Sequence, residues 1–209
     1  MRRVEVLRLD VTPWEVTDAS MREWQQERIR AERDDLLVFV EHPEVVTVGP
    51  RARNDGVSPP TDYPTASTDR GGGLTWHGPG QLVVYPIVLW DMEGEANVAA
   101  VIHRLEAWVI AALANLGIEG HRDDRMQGVW VDGRKVCSIG LSFLRWVSRH
   151  GLTVNIDTPA GRVEALAGCG LNPDMTTSLR ALGHPIEREA LVEAMLKTAA
   201  QALEREPLE

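Results

Sequence analysis

Cys169 sits between two glycines in Leu166-Ala167-Gly168-Cys169-Gly170-Leu171-Asn172-Pro173. Glycine neighbours clear the space around a sulfur and leave backbone N–H groups free to face a carbonyl oxygen, as acyl transfer requires. Such a cysteine works as its thiolate, and nearby positive charge lowers the thiol pKa. Lys135 is the candidate source of that charge. It begins the strand-like run Lys135-Val136-Cys137-Ser138-Ile139-Gly140, where alternation predicts Lys135 and Cys137 on one face and Val136 and Ser138 on the other. Of 22 basic residues only Lys135 and Lys197 are lysines. Arginine can also stabilise a thiolate, but lysine alone can give up a proton near neutral pH and so act as acid or base. Cys137, inside a β pattern, reads as a small buried apolar residue.

The second chemical stretch is Arg70-Gly71-Gly72-Gly73-Leu74-Thr75-Trp76-His77-Gly78-Pro79-Gly80-Gln81. A loop with so many residues lacking a Cβ takes positive φ or approaches something closely. Arg70, Thr75 and His77 can each hold a polar ligand, so the stretch reads as a cradle, pinned at a sheet rim by the apolar run Gln81 to Ile87. His77 and His150 both lie in predicted loops beside glycine, and either could serve as base in a Cys–His pair. No Cys-x-x-Cys or His-x-x-x-His spacing is present, so no metal is expected.

The elements around these residues read as a mixed α/β pattern. Met1 to Asp10 alternates like a strand, and Thr12-Pro13 starts an amphipathic helix reaching Arg33. Leu36 to Glu41 is continuously apolar and predicts a central strand. His42-Pro43 ends it, and Val45 to Gly49 resumes extended structure. Residues 50 to 66 read as a long surface loop, with a short strand from Ala66 to Arg70. Asn97 caps a helix whose face carries Val98, Val101, Ile102, Leu105, Trp108, Val109, Ala112, Leu113 and Leu116, ended by Gly117. Asp132-Gly133 predicts a hairpin turn. Strands are expected at Leu141 to Val147 and Gly151 to Ile156, separated by Ser148-Arg149-His150. Thr176 to Leu179 opens a short helix, and a last helix runs from about Glu187 to Leu203.

Length and composition suit a single domain over 1-209: 44% hydrophobic and 25% charged residues in 209. The net charge of −9 argues against a nucleic-acid binder, which needs a basic footprint. No window approaches the eighteen or more apolar residues of a membrane span. The N-terminus lacks an apolar signal core, and two cysteines fit a reducing compartment, so a cytoplasmic protein is expected.

Several groups of residues resemble the lipoyl (octanoyl) transferase family. Arg70 to Gln81 is similar to its Arg-Gly-Gly…Thr-x-His-Gly-Pro-Gly-Gln signature. Gly128 to Val131 with Lys135 to Gly140 resembles its lysine strand. His150-Gly151-Leu152-Thr153-Val154-Asn155-Ile156 resembles its His-Gly segment, and Cys169-Gly170 with Thr177-Ser178-Leu179 its cysteine loop. Gly168 departs from the proline usual before that cysteine.

The resemblance implies the biotin/lipoate protein ligase catalytic-domain fold, a mixed central β-sheet flanked by helices. It implies octanoyl (or lipoyl) transfer from acyl carrier protein to a lysine of a lipoyl domain. Acceptors would be 2-oxoacid dehydrogenase acyltransferase subunits or glycine cleavage H protein. By resemblance Cys169 and Lys135 are catalytic. Arg70, Gly71, Gly72, Gly73, Leu74, Thr75, Trp76, His77, Ser138, Ile139, Gly140, Gly151, Leu152 and Thr153 bind the acyl group, and His150 supports them. Leu74, Trp76 and Ile139 are expected to line an acyl tunnel. Arg51, Arg53, Arg145 and Arg149 are candidates for docking an acidic carrier. No cofactor is implied, since the thioester arrives activated, and a monomer is expected. The alternatives are an ATP-dependent lipoate–protein ligase of the same fold, a cysteine-dependent thioester hydrolase, and a catalytically silent binding module.

Overall fold

The computed structural model describes residues 1–166 and 175–208. Its elements run β1 (Arg2–Val11), α1 (Trp14–Ile29), β2 (Asp35–Glu41), β3 (Val45–Val48), α2 (Pro50–Asn54), β4 (Thr65–Ser67), β5 (Leu74–His77) and β6 (Gln81–Ile87). They continue with α3 (Val98–Asn115), β7 (Val129–Val131), β8 (Arg134–Leu144), β9 (Val147–Asn155), α4 (Arg188–Leu203) and β10 (Arg205–Leu208).

Seven strands form one sheet in the order β10-β1-β2-β6-β9-β8-β7. β1 is parallel to both neighbours and the other pairs are antiparallel, which makes the sheet mixed as expected. On one face Leu37, Phe39, Leu82, Val84, Leu152 and Val154 pack with Trp108 of α3 and Met195 of α4. On the other, Leu36, Val38, Val40, Val83 and Tyr85 pack with Met21 of α1. Because β2 is buried on both faces, its sequence is apolar without alternation.

α3 begins where Asn97 predicts, its side-chain oxygen accepting from the N–H groups of Ala99 and Ala100 at 2.9 and 3.2 Å. Val101, Leu105, Trp108, Val109, Ala112 and Leu113 form its buried stripe, while Val98 lies off it, 47% exposed. By length and composition alone α3 could cross a membrane. That corrects the expectation that no window reaches this character; here the helix packs against the sheet and α4.

Several expected boundaries move. The glycine stretch is not loop throughout: β5 pairs antiparallel with β3 in a second sheet of order β4-β3-β5, so His77 ends a strand. The 50–66 loop contains α2, which starts on Pro50 and buries Ala52. α1 stops at Ile29 and not near Arg33, with Ala31 left-handed at φ 58°. At the 176–179 segment a 3-10 turn forms slightly later, at Arg180–Leu182. Ser148-Arg149-His150 does not separate strands but lies inside β9. The break comes earlier, at Arg145 and Trp146, whose φ angles of 50° and 62° make the two-residue β8–β9 turn. β10, parallel to β1, has no counterpart in the expected elements.

Candidate active site

Between β5 of the small sheet and β8 and β9 of the large one lies a cavity of about 420 Å³, opening beside Arg51 and Arg125. Arg70, Gly71, Gly72, Gly73, Leu74, Thr75, Trp76, Lys135, Ser138, Ile139 and Thr153 all line it. A narrower compartment of about 30 Å³ adjoins it and adds His77, Gly140, His150, Gly151 and Leu152. The structure thus gathers every predicted site residue at one place except Cys169, which lies outside the described residues. Leu166 and Thr176, on either side of that segment, both line the larger cavity.

Lys135 enters through an irregularity. β7 and β8 pair as Trp130 with Lys135 but Val129 with Cys137, so one residue of β8 is extra. Such a bulge re-aims the side chains around it. Val136 and Cys137 both join the core, whereas Lys135 and Ser138 line the cavity. The expectation that Lys135 and Cys137 share a face is therefore corrected: the inserted residue breaks the alternation. Lys135 is 5% exposed, and its backbone is fixed on both sides. Its N–H donates to Met175 O at 2.8 Å, and its carbonyl accepts from Thr177 N–H at 2.9 Å. Gly128 (φ 127°) makes room for the side chain, since a Cβ there would stand 2.7 Å from Lys135 Cε and 2.1 Å from Cys137 O. Cys137 itself is buried, and burial pushes its thiol up to about 12, in line with a structural role.

Arg70 is built into the cradle. Its guanidinium donates to Thr47 O (3.0 Å), Thr47 Oγ1 (2.9 Å), Gly73 O (3.0 Å) and Gly71 O (3.1 Å). It ties β3 to the glycine turn while lining the cavity. The turn rests on Gly140: a Cβ there would lie 2.9 Å from Gly71 O, so a side chain would lift the turn from the sheet.

His77 is buried and engaged. Its Nδ1–H donates to Gln81 Oε1 at 2.9 Å, because the Gln81 amide Nε2 is committed to Trp76 O and Asn155 Oδ1. Asn155 Nδ2 then donates to Thr177 O at 3.0 Å. The signature histidine thereby reaches the chain that resumes after the undescribed segment. Burial, helped by the charge of Arg70, drops the His77 pKa well below its ordinary value. It is neutral at pH 7, with Nε2 bare of hydrogen.

His150 is also buried and has a left-handed backbone, φ 61°. Its Nε2–H donates to Asp69 Oδ1 at 2.8 Å, and Arg149 pairs with the same carboxylate. Burial raises the Asp69 pKa, but the His150 hydrogen bond and the Arg149 charge outweigh it and hold the carboxyl below its ordinary value. Burial keeps His150 neutral. Asp18 joins this group, and ligand atoms of Asp18, Asp69 and His150 lie within 4.8 Å of one another. Arg22 pairs with Asp18 and Arg149 with Asp69, so the two carboxylates are already balanced.

Of the docking arginines, Arg51, Arg53 and Arg145 are exposed. Arg149 is not: it is 5% exposed and spent on Asp69. Arg53 donates to Ser67 Oγ and Thr68 O, holding α2 to β4. The sequence reading missed Trp14, Val83 and Tyr85, which wall the narrow compartment. Their only signal is ordinary apolar patterning, which does not separate a cavity wall from core.

The solved structures that resemble this chain define its class. One contains a bi-partite lipoate protein ligase and its E2 lipoyl domain from Thermoplasma acidophilum: TM-score 0.70, 13% identity, 100% of this chain and 86% of the other. Another is the biotin protein ligase of Aquifex aeolicus: TM-score 0.58, 14% identity, 98% and 69% covered. The architecture is the lipoate/biotin protein ligase catalytic fold. Sequence goes further. Residues 15–200 match the lipoyl protein ligase A/B catalytic domain. An octanoyltransferase of Magnetococcus marinus is 38% identical over 197 residues, 94% of this chain and 92% of that protein. The chain belongs to the lipoyl protein ligase A/B catalytic-domain family.

Proposed function

We propose that this protein is an octanoyltransferase. It takes an octanoyl group from acyl carrier protein, holds it on Cys169 as a thioester, and delivers it to a lysine of a lipoyl domain in the cytoplasm. The octanoyltransferase relatives support the activity. The observation that carries the assignment of residues is Lys135, a buried lysine in a cavity that Leu166 and Thr176, flanking the cysteine segment, also line.

The chemistry is a double exchange. The Cys169 thiolate attacks the donor carbonyl, the carrier's C–S bond breaks, and its sulfur leaves with the electron pair and takes up a proton. The neutral amine of the acceptor lysine then attacks the acyl-enzyme carbonyl. The C–N bond forms, the Cys169 C–S bond breaks, and Lys135 relays the amine proton. One thioester replaces another in the first half, so no ATP is required.

The test is intact-mass analysis after mixing the protein with octanoyl carrier protein. A gain of one octanoyl group is expected, absent in Cys169→Ala, with the group passing to an added lipoyl domain. Lipoyl-domain modification by Cys169→Ala from free octanoate and ATP would instead establish a ligase. Release of octanoate regardless of acceptor would establish a hydrolase.

A further inference from the structure

The two compartments share Arg70, Thr75, Ser138, Ile139 and Thr153, so they meet at a neck. Lys135 lines only the wider one, and Trp14 lines only the narrower. Trp14 is 5% exposed and occupies the first position of α1. Pro13 precedes it at φ −53°, fixing the angle at which the helix enters. Tyr85, buried with its hydroxyl, lines the same compartment. That hydroxyl meets His42 Nε2 at 2.8 Å, and His42 Nδ1 meets Thr12 O at 2.6 Å. A carbonyl only accepts, so His42 Nδ1 carries hydrogen and Nε2 does not. Tyr85 O–H therefore donates to His42. The relay runs one way, from Tyr85 to the backbone of Thr12, and holds the chain two residues before Trp14, where α1 begins.

We propose that Trp14 is the end wall that measures the acyl chain. The reacting carbonyl lies near Lys135, the chain passes the neck, and its terminal methyl stops against the indole. Tyr85 and His42 are positioning residues for that wall. The inference rests on the acyl-transfer reading and adds what sets its substrate length. Each buried methylene is worth about fourfold in binding, so an immovable wall converts chain length into selectivity, and its removal shifts the optimum upward.

The experiment compares wild type, Trp14→Ala, Trp14→Phe and Val83→Ile with saturated acyl carrier proteins of six to fourteen carbons, reading the rate of adduct formation by intact mass. Trp14→Ala is expected to raise the dodecanoyl-to-octanoyl rate ratio by about tenfold or more, corresponding to two or more accommodated methylenes. Trp14→Phe should do so less. Val83→Ile adds one methylene to the wall of the same compartment and should favour hexanoyl by about fourfold. A Trp14→Ala profile superimposable on wild type, in a protein that melts cooperatively, overturns the proposal. If that variant does not fold, an unchanged Val83→Ile profile overturns it. A parallel series measures the melting shift caused by free carboxylates of the same lengths. Absence of any wild-type adduct sinks the transfer reading, while this second series still decides the role of Trp14: identical length dependence in wild type and variants overturns it.

Discussion

Lys135 owes its place in the cavity to one extra residue in β8 and one missing Cβ at position 128. Both features could be removed by point changes. Lys135→Arg keeps the positive charge but cannot shed a proton near neutral pH. Octanoyl should still load onto the enzyme, while transfer to a lipoyl domain falls by about 100-fold or more, the usual range for losing a general acid–base group. Single-turnover measurement of the two half-reactions checks this, and equal transfer rates would remove the proton-relay role. The other sulfur supplies a contrasting prediction. Burial pushes Cys137 up to about 12, so at pH 8 almost none of it is thiolate. Iodoacetamide should alkylate Cys169 in the folded protein and reach Cys137 only on denaturation, as peptide mass mapping would report. Sequence singled out Lys135 by its type in an arginine-rich chain, and the structure places it in the cavity; Cys169, singled out by its glycine neighbours, lies outside the described residues. The bulge was not readable from sequence, because Val136 and Cys137 are each apolar and keep the appearance of an uninterrupted strand.

At the scale of elements, what escaped the sequence was carried by residues of the wrong apparent type. Asp132-Gly133 advertises its hairpin because both turn residues need positive φ and this pair tolerates it. Arg145-Trp146 makes the same kind of turn without such residues, so the β8–β9 hairpin looked like three segments. β10 was hidden because Arg-Glu-Pro-Leu has one apolar residue suited to a strand. What holds it is Arg205, fully buried, donating to Asp35 at 2.7 Å and to both carboxylate oxygens of Glu95 at 3.0 Å. Arg28 also reaches Asp35 at 2.6 Å. The network joins the last strand to β2, α1 and the segment before α3. Removing one partner of a buried ion cluster leaves the others uncompensated, which costs far more than the cluster itself contributes. Arg205→Met should therefore destabilise the protein by about 3–5 kcal/mol, measured by urea unfolding. A loss below 1 kcal/mol would mean that solvent reaches Asp35 and Glu95.

For the whole molecule, the narrow compartment is walled at the cost of burying imidazoles. His42, His77 and His150 all surround the narrow compartment or its wall, and burial lowers the pKa of each from an ordinary value of 6.5. His42 meets Tyr85 on one side and a backbone carbonyl on the other; His77 faces Gln81, Thr47, His42 and Arg70; His150 faces Asp69, Asp18 and Arg149. Sequence placed two of the three near the site but gave no sign of their burial, which follows from two sheets and α1 closing over them. The sign of the consequence is fixed. The folded state holds these rings neutral, whereas the unfolded chain protonates them below about pH 6.5. Above that pH the contribution to stability is complete; as pH falls from 6.5 through the lowered folded values it is lost. Each histidine can contribute up to about 1.4 kcal/mol per pH unit. Asp69 and Glu44, lowered from carboxylate values, add their own loss only at more acid pH. Unfolding free energy should therefore be level from pH 8 to 7 and decline as pH falls below about 6.5. His42→Gln should flatten that decline by removing one proton-uptake site, even if it lowers the plateau. A wild-type profile that stays flat to pH 5 would show that water or rearrangement already accommodates charged imidazoles there, and the walled compartment would lose its physical basis.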